Sequence, residues 1–259
     1  MKHLQSIKQQ LFTEYLQNLE GISEKFHRLK EAEISTENFS FYTSVSSVFS
    51  SKIEGENIEL DSYIKHKHFN IEFQSDYTKK IDDLYNAYRF AQEHSLNKKN
   101  ILESHKILTK NILKEHLQGV YRQTNMVVMT DDGKIEYIAA NPSLVTDEME
   151  IFFNEIEELL QEKLKIEEVF FFASLLHLMF VKIHPMNDGN GRTARLIEKW
   201  FLAQHLGEKA WFLQSEKYYY QHHQTYYHNI RKIGFEYEEL DFGKALDFIS
   251  MLPKSLNIN

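Results

Sequence analysis

The sequence predicts an all-α protein interrupted by one short β-hairpin, and three observations carry that prediction. Apolar residues recur at intervals of three and four over most of the chain, the spacing that lines one face of a helix. Helix breakers are scarce, with 3 Pro and 9 Gly in 259 residues, whereas turn-rich β architectures need many. Residues 166–184 are apolar on most sides, as expected of a helix in the middle of a bundle. Hydrophobic residues make up 42% of the chain, including 19 Phe and 14 Tyr, which is enough for a large core.

Taken in order, residues 4–32 read as helical through Leu4, Ile7, Leu11, Leu16, Leu19, Ile22, Phe26 and Leu29, with Gly21 marking a bend or break. Ser35-Thr36-Glu37-Asn38 is a capping stretch for a helix over about 38–55, whose apolar face is Phe39, Tyr42, Val45, Val48, Phe49 and Ile53. That helix also holds Ser44, Ser46, Ser47, Ser50 and Ser51. Serine is a poor helix-interior residue, so tertiary contacts must hold it. Gly55 is placed to cap its C-terminus. Residues 56–74 read as a connector with a short turn near 60–64, and 76–94 and 100–113 as helices. Residues 126–129 and 135–138 flank Thr130-Asp131-Asp132-Gly133-Lys134, and two β-prone runs around Asp-Gly signal a hairpin. Helices follow over 144–164, 166–184, 190–206, 215–230 and 240–251.

The chemistry concentrates in Ile183-His184-Pro185-Met186-Asn187-Asp188-Gly189-Asn190-Gly191-Arg192-Thr193-Ala194-Arg195, a polar loop between two helices. Backbone N–H groups at a helix start are unsatisfied, and the macrodipole adds positive character. Gly189 and Gly191 lack Cβ atoms, so an anion can approach the backbone. Arg192 and Arg195 lie three apart on one helix face, with planar donor forks suited to phosphate oxygens. Asp188 is a hard oxygen ligand for a phosphate-bound Mg²⁺, and His184 can accept a proton near neutral pH. His177, two turns earlier, reads as a packed core histidine.

Composition narrows the alternatives. A net charge of −8 argues against a general nucleic-acid binder. With no Cys there is neither disulfide framework nor thiolate chemistry. The first residues lack an apolar signal core, and the apolar run 169–183 is short for a membrane span. The expectation is a soluble, cytoplasmic protein without membrane or nucleic-acid partners.

The loop resembles the motif of the Fic (filamentation induced by cAMP) family, His-Pro-Phe-x-(Asp/Glu)-Gly-Asn-Gly-Arg-x-x-Arg. His184, Pro185, Asp188, Gly189, Asn190, Gly191, Arg192 and Arg195 match it, and Met186 stands where the family usually has Phe. Ser50-Ser51-Lys52-Ile53-Glu54-Gly55 resembles the family's inhibitory motif, (Ser/Thr)-x-x-x-Glu-(Gly/Asn), and Gly119-Val120-Tyr121-Arg122 its approach to the flap. The resemblance implies a Fic-fold helical bundle over about 75–252 with a flap at 126–138 and an active-site loop at 184–195. A helical extension, 1–74, would carry the inhibitory helix. It implies an adenylyltransferase that moves AMP from ATP, with Mg²⁺, to a Tyr, Ser or Thr hydroxyl of a protein docked on the flap through Val127, Val128, Met129 and Ile135. His184 would be the base and Asp188 the Mg²⁺ ligand. The Gly189-Asn190-Gly191 backbone, Arg192 and Arg195 would hold the phosphates, and Tyr227 would lie near adenine and ribose. Ser50, Glu54 and Gly55 would form the inhibitory element, with Glu54 competing for Arg195. AMP removal, a bifunctional enzyme, transfer of a different phosphate-containing group, self-modification and oligomer formation stay open.

Overall fold

The computed structural model describes residues 2–37, 39–73, 77–129, 133 and 135–258, with side chains from Leu4 onward. The helix start at Asn38, the boundary at 75, the helix start at Asp76 and the turn residues Thr130, Asp131, Asp132 and Lys134 lie outside the described residues. Helices α1 (Lys2–Gln17) and α2 (Ile22–His27) are separated at Gly21, which sits in the left-handed region at φ 59°. They are followed by α3 (Phe41–Ile53), α4 (Leu60–Phe69), α5 (Lys79–Glu93) and α6 (Lys98–Leu108). Strands β1 (Val127–Met129) and β2 (Ile135–Ile138) form an antiparallel hairpin. Then come α7 (Pro142–Gln161), α8 (Ile166–Ile183), α9 (Asn190–Leu206), α10 (Ser215–Gln221) and α11 (His223–Lys232), and short turns of helix close the described chain.

The core is built around α8, whose residues from Val169 to Ile183 are all buried. Burying each Phe there contributes about 1.5–3 kcal/mol. Phe171 meets Phe12 and Tyr15 of α1 edge-on at 5.3 and 5.1 Å, and Phe170 meets Phe26 of α2 at 6.0 Å. On another face Phe180 packs against Phe152 of α7 at 5.6 Å. The N-terminal helices are therefore part of the core, not an appendage to it. α9 packs along α8, and α3 packs against α5, α9 and α10.

The serines of α3 explain themselves here. Ser44, Ser46, Ser47, Ser50 and Ser51 are all buried. Lys199 Nζ, fully buried on α9, donates to Ser46 Oγ and to Glu216 Oε2, both at 2.6 Å. Tyr88 of α5 donates to the other Glu216 oxygen at 2.6 Å. A helix that reaches a buried ion pair through short hydroxyls needs little apolar bulk on that face. Its N-terminus is capped by Ser40, whose Oγ accepts from Thr43 N.

Three local readings change. The connector at 56–74 contains α4, a helix with one buried residue, Tyr63, and hence no apolar period to detect. Polar contacts fasten it instead: Tyr63, His66 and Lys67 all reach the Asp82 carboxylate, at 3.0, 3.0 and 2.9 Å. The expected helix at 215–230 is broken at His222 into α10 and α11, and the one at 240–251 is a string of short turns. Among the described residues no helix is long and apolar enough to cross a membrane.

Candidate active site

The loop between α8 and α9 is shaped by contacts that precede any chemistry. His184 ends α8 in the left-handed region, at φ 52° and ψ 58°. Non-glycine residues adopt that conformation rarely, and a surrounding structure must enforce it. The enforcement comes from Arg122. Its Nε donates to the His184 carbonyl at 2.7 Å and its Nη2 to the carbonyls of Ile183 (3.3 Å) and Ala140, while Nη1 donates to Thr124 O at 2.6 Å. The Arg122 N–H also bonds Pro185 O at 2.9 Å, and Tyr121 pairs with Met186 as an isolated antiparallel bridge. One buried guanidinium thus ties the approach to the hairpin onto the end of α8. Burial pushes its pKa down from the ordinary arginine value. Arg122→Met strands four carbonyls and is expected to lower stability by about 3 kcal/mol, read as an urea-midpoint shift at unchanged m-value. A shift no larger than that of a surface Arg→Met control would contradict this bracing role.

Met186 is fully buried, filling with a flexible side chain the place where Phe was expected. The rest of the loop closes on the Asn190 amide: Met186 N donates to its Oδ1 at 2.8 Å, and its Nδ2 donates to Met186 O at 2.9 Å. Both ends of that side chain are engaged in holding the loop, and the Asn190 backbone opens α9. Gly189 has φ 77°, and a Cβ there would lie 2.8 Å from Thr109 Cγ2, so its missing side chain serves close packing against the end of α6. Buried His105 of α6 completes the frame. It accepts from Gly119 N at Nδ1 (2.9 Å), so Nε2 carries the hydrogen and donates to Asp188 O at 2.9 Å. Burial lowers its pKa and so keeps the ring neutral, while the Gly119 N–H and the Asp188 carbonyl fix the tautomer.

Around His184 the geometry defines a proton acceptor. Tyr137 of β2 donates its hydroxyl hydrogen to Val181 O at 2.8 Å, leaving its oxygen 3.2 Å from His184 Nδ1. Val181 O lies 3.3 Å from the same nitrogen. Both neighbours present oxygen lone pairs, so Nδ1 bears the hydrogen and Nε2 the lone pair. Among the described residues Nε2 has no hydrogen-bond partner. Burial, reinforced by Arg122, pushes the His184 pKa down to about 4, against the weaker opposite pull of Val181 O, Glu54 and Asp188.

At the start of α9 the arginines are already occupied. Arg195, 1% exposed, donates from Nη2 to Glu54 Oε1 at 2.6 Å, and from Nε and Nη2 to the Ser50 hydroxyl and carbonyl at 2.9 and 3.0 Å. Residues 50 and 195 are brought together because α3 lies across α9. Gly55, at φ 85°, turns the chain after Glu54: its N–H returns to Lys52 O and the next to Ser51 O, both at 3.1 Å. The Glu54 carboxylate also explains Gly191, where a Cβ would stand 2.3 Å from Glu54 Oε1. The open space at Gly191 is filled by an anionic group belonging to the protein. Burial alone would raise the Glu54 pKa, but Arg195 and then Arg192 outweigh it and hold it below the ordinary glutamate value.

Two residues of this site, Glu56 and Tyr226, carried no sequence signal. Arg192, nearly buried, has Glu56 Oε1 at 3.6 Å, and the same oxygen lies 2.7 Å from Lys80 Nζ. Tyr226 reaches Arg195 Nη1 at 3.3 Å, whereas Tyr227 stands beside His223 at 4.8 Å between ring centroids. His177 is fully buried but is not a plain core residue: its Nδ1 faces Glu198 Oε2 at 2.8 Å and its Nε2 the Tyr226 hydroxyl at 2.9 Å. Its partners lie 21 and 49 residues away, beyond the reach of local spacing. In the hairpin Val127, Met129 and Ile135 are exposed while Val128, paired with Tyr137, turns inward onto the core. Asp188 is exposed, and its Oδ1 accepts from Gly189 N at 2.6 Å.

A central buried helix, a loop opening a second helix and a hairpin over that loop define a helical fold found in several solved Fic proteins. The chain superposes on a Fic family protein from Desulfovibrio desulfuricans with a TM-score of 0.74 at 16% identity, covering 93% of this chain and 72% of the other. It superposes on a Fic-domain signalling protein from Bacteroides thetaiotaomicron at 0.69 and 17% identity, covering 92% and 94%. With a Fic-1 fragment from C. elegans the TM-score is 0.65 at 17% identity, covering 97% and 70%. At such identities the likeness shows a shared fold. Residues 95–202 match the Fic/DOC family, and the chain carries a domain of that family. No curated protein matches it. The match over residues 95–202 implies transfer of a nucleotidyl or other phosphate-containing group to proteins.

Proposed function

We propose that this protein is an adenylyltransferase that moves AMP from ATP to a hydroxyl of a target protein, and that Glu54 holds it in check. The observation that carries the reading is the Glu54 carboxylate, seated on Arg195 above Gly191 at the start of α9. A site that stably holds a carboxylate against a guanidinium and a helix N-terminus is built for an anion. The ATP γ-phosphate competes for Arg195, Arg192 serves the β-phosphate, and the N–H groups of residues 189–191 cradle the chain of phosphates.

The target hydroxyl gives its proton to His184 Nε2 as its oxygen attacks the α-phosphorus. The bond from that phosphorus to the bridging oxygen breaks, and pyrophosphate leaves. A target segment adds to the hairpin edge as a strand, with Val127, Met129 and Ile135 as its side-chain contacts. Tyr227 borders the adenosine. Among the described residues no three His, Cys, Asp or Glu side chains gather into a metal-holding group. The exposed carboxylate of Asp188 beside the phosphate loop fits Mg²⁺, which is commonly held by one or two carboxylates with phosphate oxygens and waters. Asp188 is the carboxylate that would hold it. Bound there, Mg²⁺ would neutralise phosphate charge.

The test is transfer from ATP labelled at either the α- or the γ-phosphate, using Glu54→Gly and a lysate as target. The α-label is expected on protein and the γ-label in pyrophosphate. Protein-bound γ-label overturns AMP transfer in favour of phosphoryl transfer. Release of AMP from a pre-modified protein by wild type, lost in Glu54→Gly, favours the reverse reaction.

A further inference from the structure

We infer that Tyr226, His177 and Glu198 form a positioning relay that aims Arg195 from the core side. It would hold the guanidinium in place when the groups of α3 withdraw. The inference rests on Arg195 as the γ-phosphate ligand.

The partners of Arg195 come from two directions. Ser50 lies in α3 and Glu54 caps its C-terminus, and both contacts are lost if that helix end moves away. Tyr226 of α11 is the core-side partner, its hydroxyl 3.3 Å from Nη1. Behind it His177 of α8 lies 2.9 Å away, and behind that Glu198 of α9 at 2.8 Å; Tyr219 of α10 also donates to Glu198 Oε2, at 2.9 Å. Each of these side chains is buried to within about 1% of full burial. A chain drawn from four helices meets at one guanidinium.

Hydrogen bookkeeping gives the chain a direction. Arginine can only donate, so the Tyr226 oxygen accepts from Nη1 and its own hydrogen points to His177 Nε2. That nitrogen must carry the lone pair, so Nδ1 carries the hydrogen and donates to the Glu198 carboxylate. The reverse tautomer would set a lone pair against a carboxylate. Burial pushes the Tyr226 pKa up to about 12, although Arg195 opposes it, so the phenol keeps the hydrogen it donates. Apolar residues would fill the same volume without the desolvation penalty of a fully buried carboxylate. Ring contacts of His177 with Phe248 (5.2 Å) and Tyr219 (5.6 Å) fix its plane.

The experiment compares ATP and ADP binding by calorimetry in Glu54→Gly and in Glu54→Gly with Tyr226→Phe. Tyr226→Phe is expected to weaken ATP about tenfold and to leave ADP within twofold, because only ATP carries the phosphate assigned to Arg195. Equal weakening of both nucleotides, or of neither, overturns the relay and leaves a packing role. ¹⁵N-histidine spectra of the wild-type protein give a second test that needs neither nucleotide nor a variant. Neutral His177 with the hydrogen on Nδ1 is expected. The Nε2–H tautomer or an imidazolium overturns the relay even if Tyr226→Phe does not fold. If Glu54→Gly binds ATP no tighter than ADP, the assignment of Arg195 to the γ-phosphate fails, and the spectra then decide the relay alone.

Discussion

Glu54→Gly is expected to raise transfer from α-labelled ATP by about 30-fold over the wild-type protein. The figure follows from what the carboxylate does to Arg195. A charge-assisted hydrogen bond of this kind, largely out of water, contributes about 2 kcal/mol, and each 1.4 kcal/mol is tenfold in occupancy. The γ-phosphate must displace that bond to sit beside α9, and in Glu54→Gly it need not. The same substitution leaves a buried guanidinium with fewer partners, so the variant should also melt lower than wild type. Faster transfer with lower melting temperature is the expected signature. An unchanged rate with lower melting would reduce Glu54 to a structural ion pair.

His184→Ala, placed in the Glu54→Gly background, is expected to lose transfer by about 10²- to 10⁴-fold, the usual contribution of a general base. Its pH dependence carries a sign. Because the folded-state pKa is pushed down to about 4, His184 is already neutral at pH 6, and the rate should not fall until the pH approaches 4. An ordinary histidine base would lose activity from about pH 6.5 downward. Stability moves the same way. The unfolded chain takes up the proton near 6.5 and the folded one only near 4. The contribution is therefore complete above 6.5 and lost progressively as the pH falls to 4, by about 3 kcal/mol at most. Glu54, held below its ordinary value of 4.5, keeps its own contribution above pH 4.5 and loses it as the pH falls below that value. A His184→Ala variant that keeps full transfer would remove His184 from the role of base, whereas an acid limb near 6.5 would contradict its lowered pKa.

Most of the helices were legible because their apolar residues keep a helical period, and the hairpin because β-prone runs flank Asp-Gly. Fold-level reading failed where that signal is absent: α4 is fastened by three polar side chains on Asp82 and has almost no apolar face. In the loop, contiguous spacing made His184, Asp188 and the arginines visible. It did not show that Gly189 packs against Thr109, that Gly191 leaves room for Glu54, or that the Asn190 side chain holds Met186. Arg122 was marked only by resemblance, and His105, Tyr137 and the His177 chain act through partners 83, 47 and 21 residues away, which local spacing does not show. Glu54 is the instructive case. Resemblance paired it with Arg195 across 141 residues, and the missing Cβ at Gly191 supplies the physical reason that the carboxylate fits there.

The contest for Arg195 is tested most directly by titrating ATP and ADP, each with Mg²⁺, into wild-type protein and Glu54→Gln, which keeps the side-chain shape and removes its charge. ATP affinity is expected to rise about tenfold on this substitution, with ADP changed less than twofold, since only the γ-phosphate meets Glu54 at Arg195. ATP and ADP affinities that rise together, or neither rising, would contradict the claim that the protein's own carboxylate holds the place of the terminal phosphate.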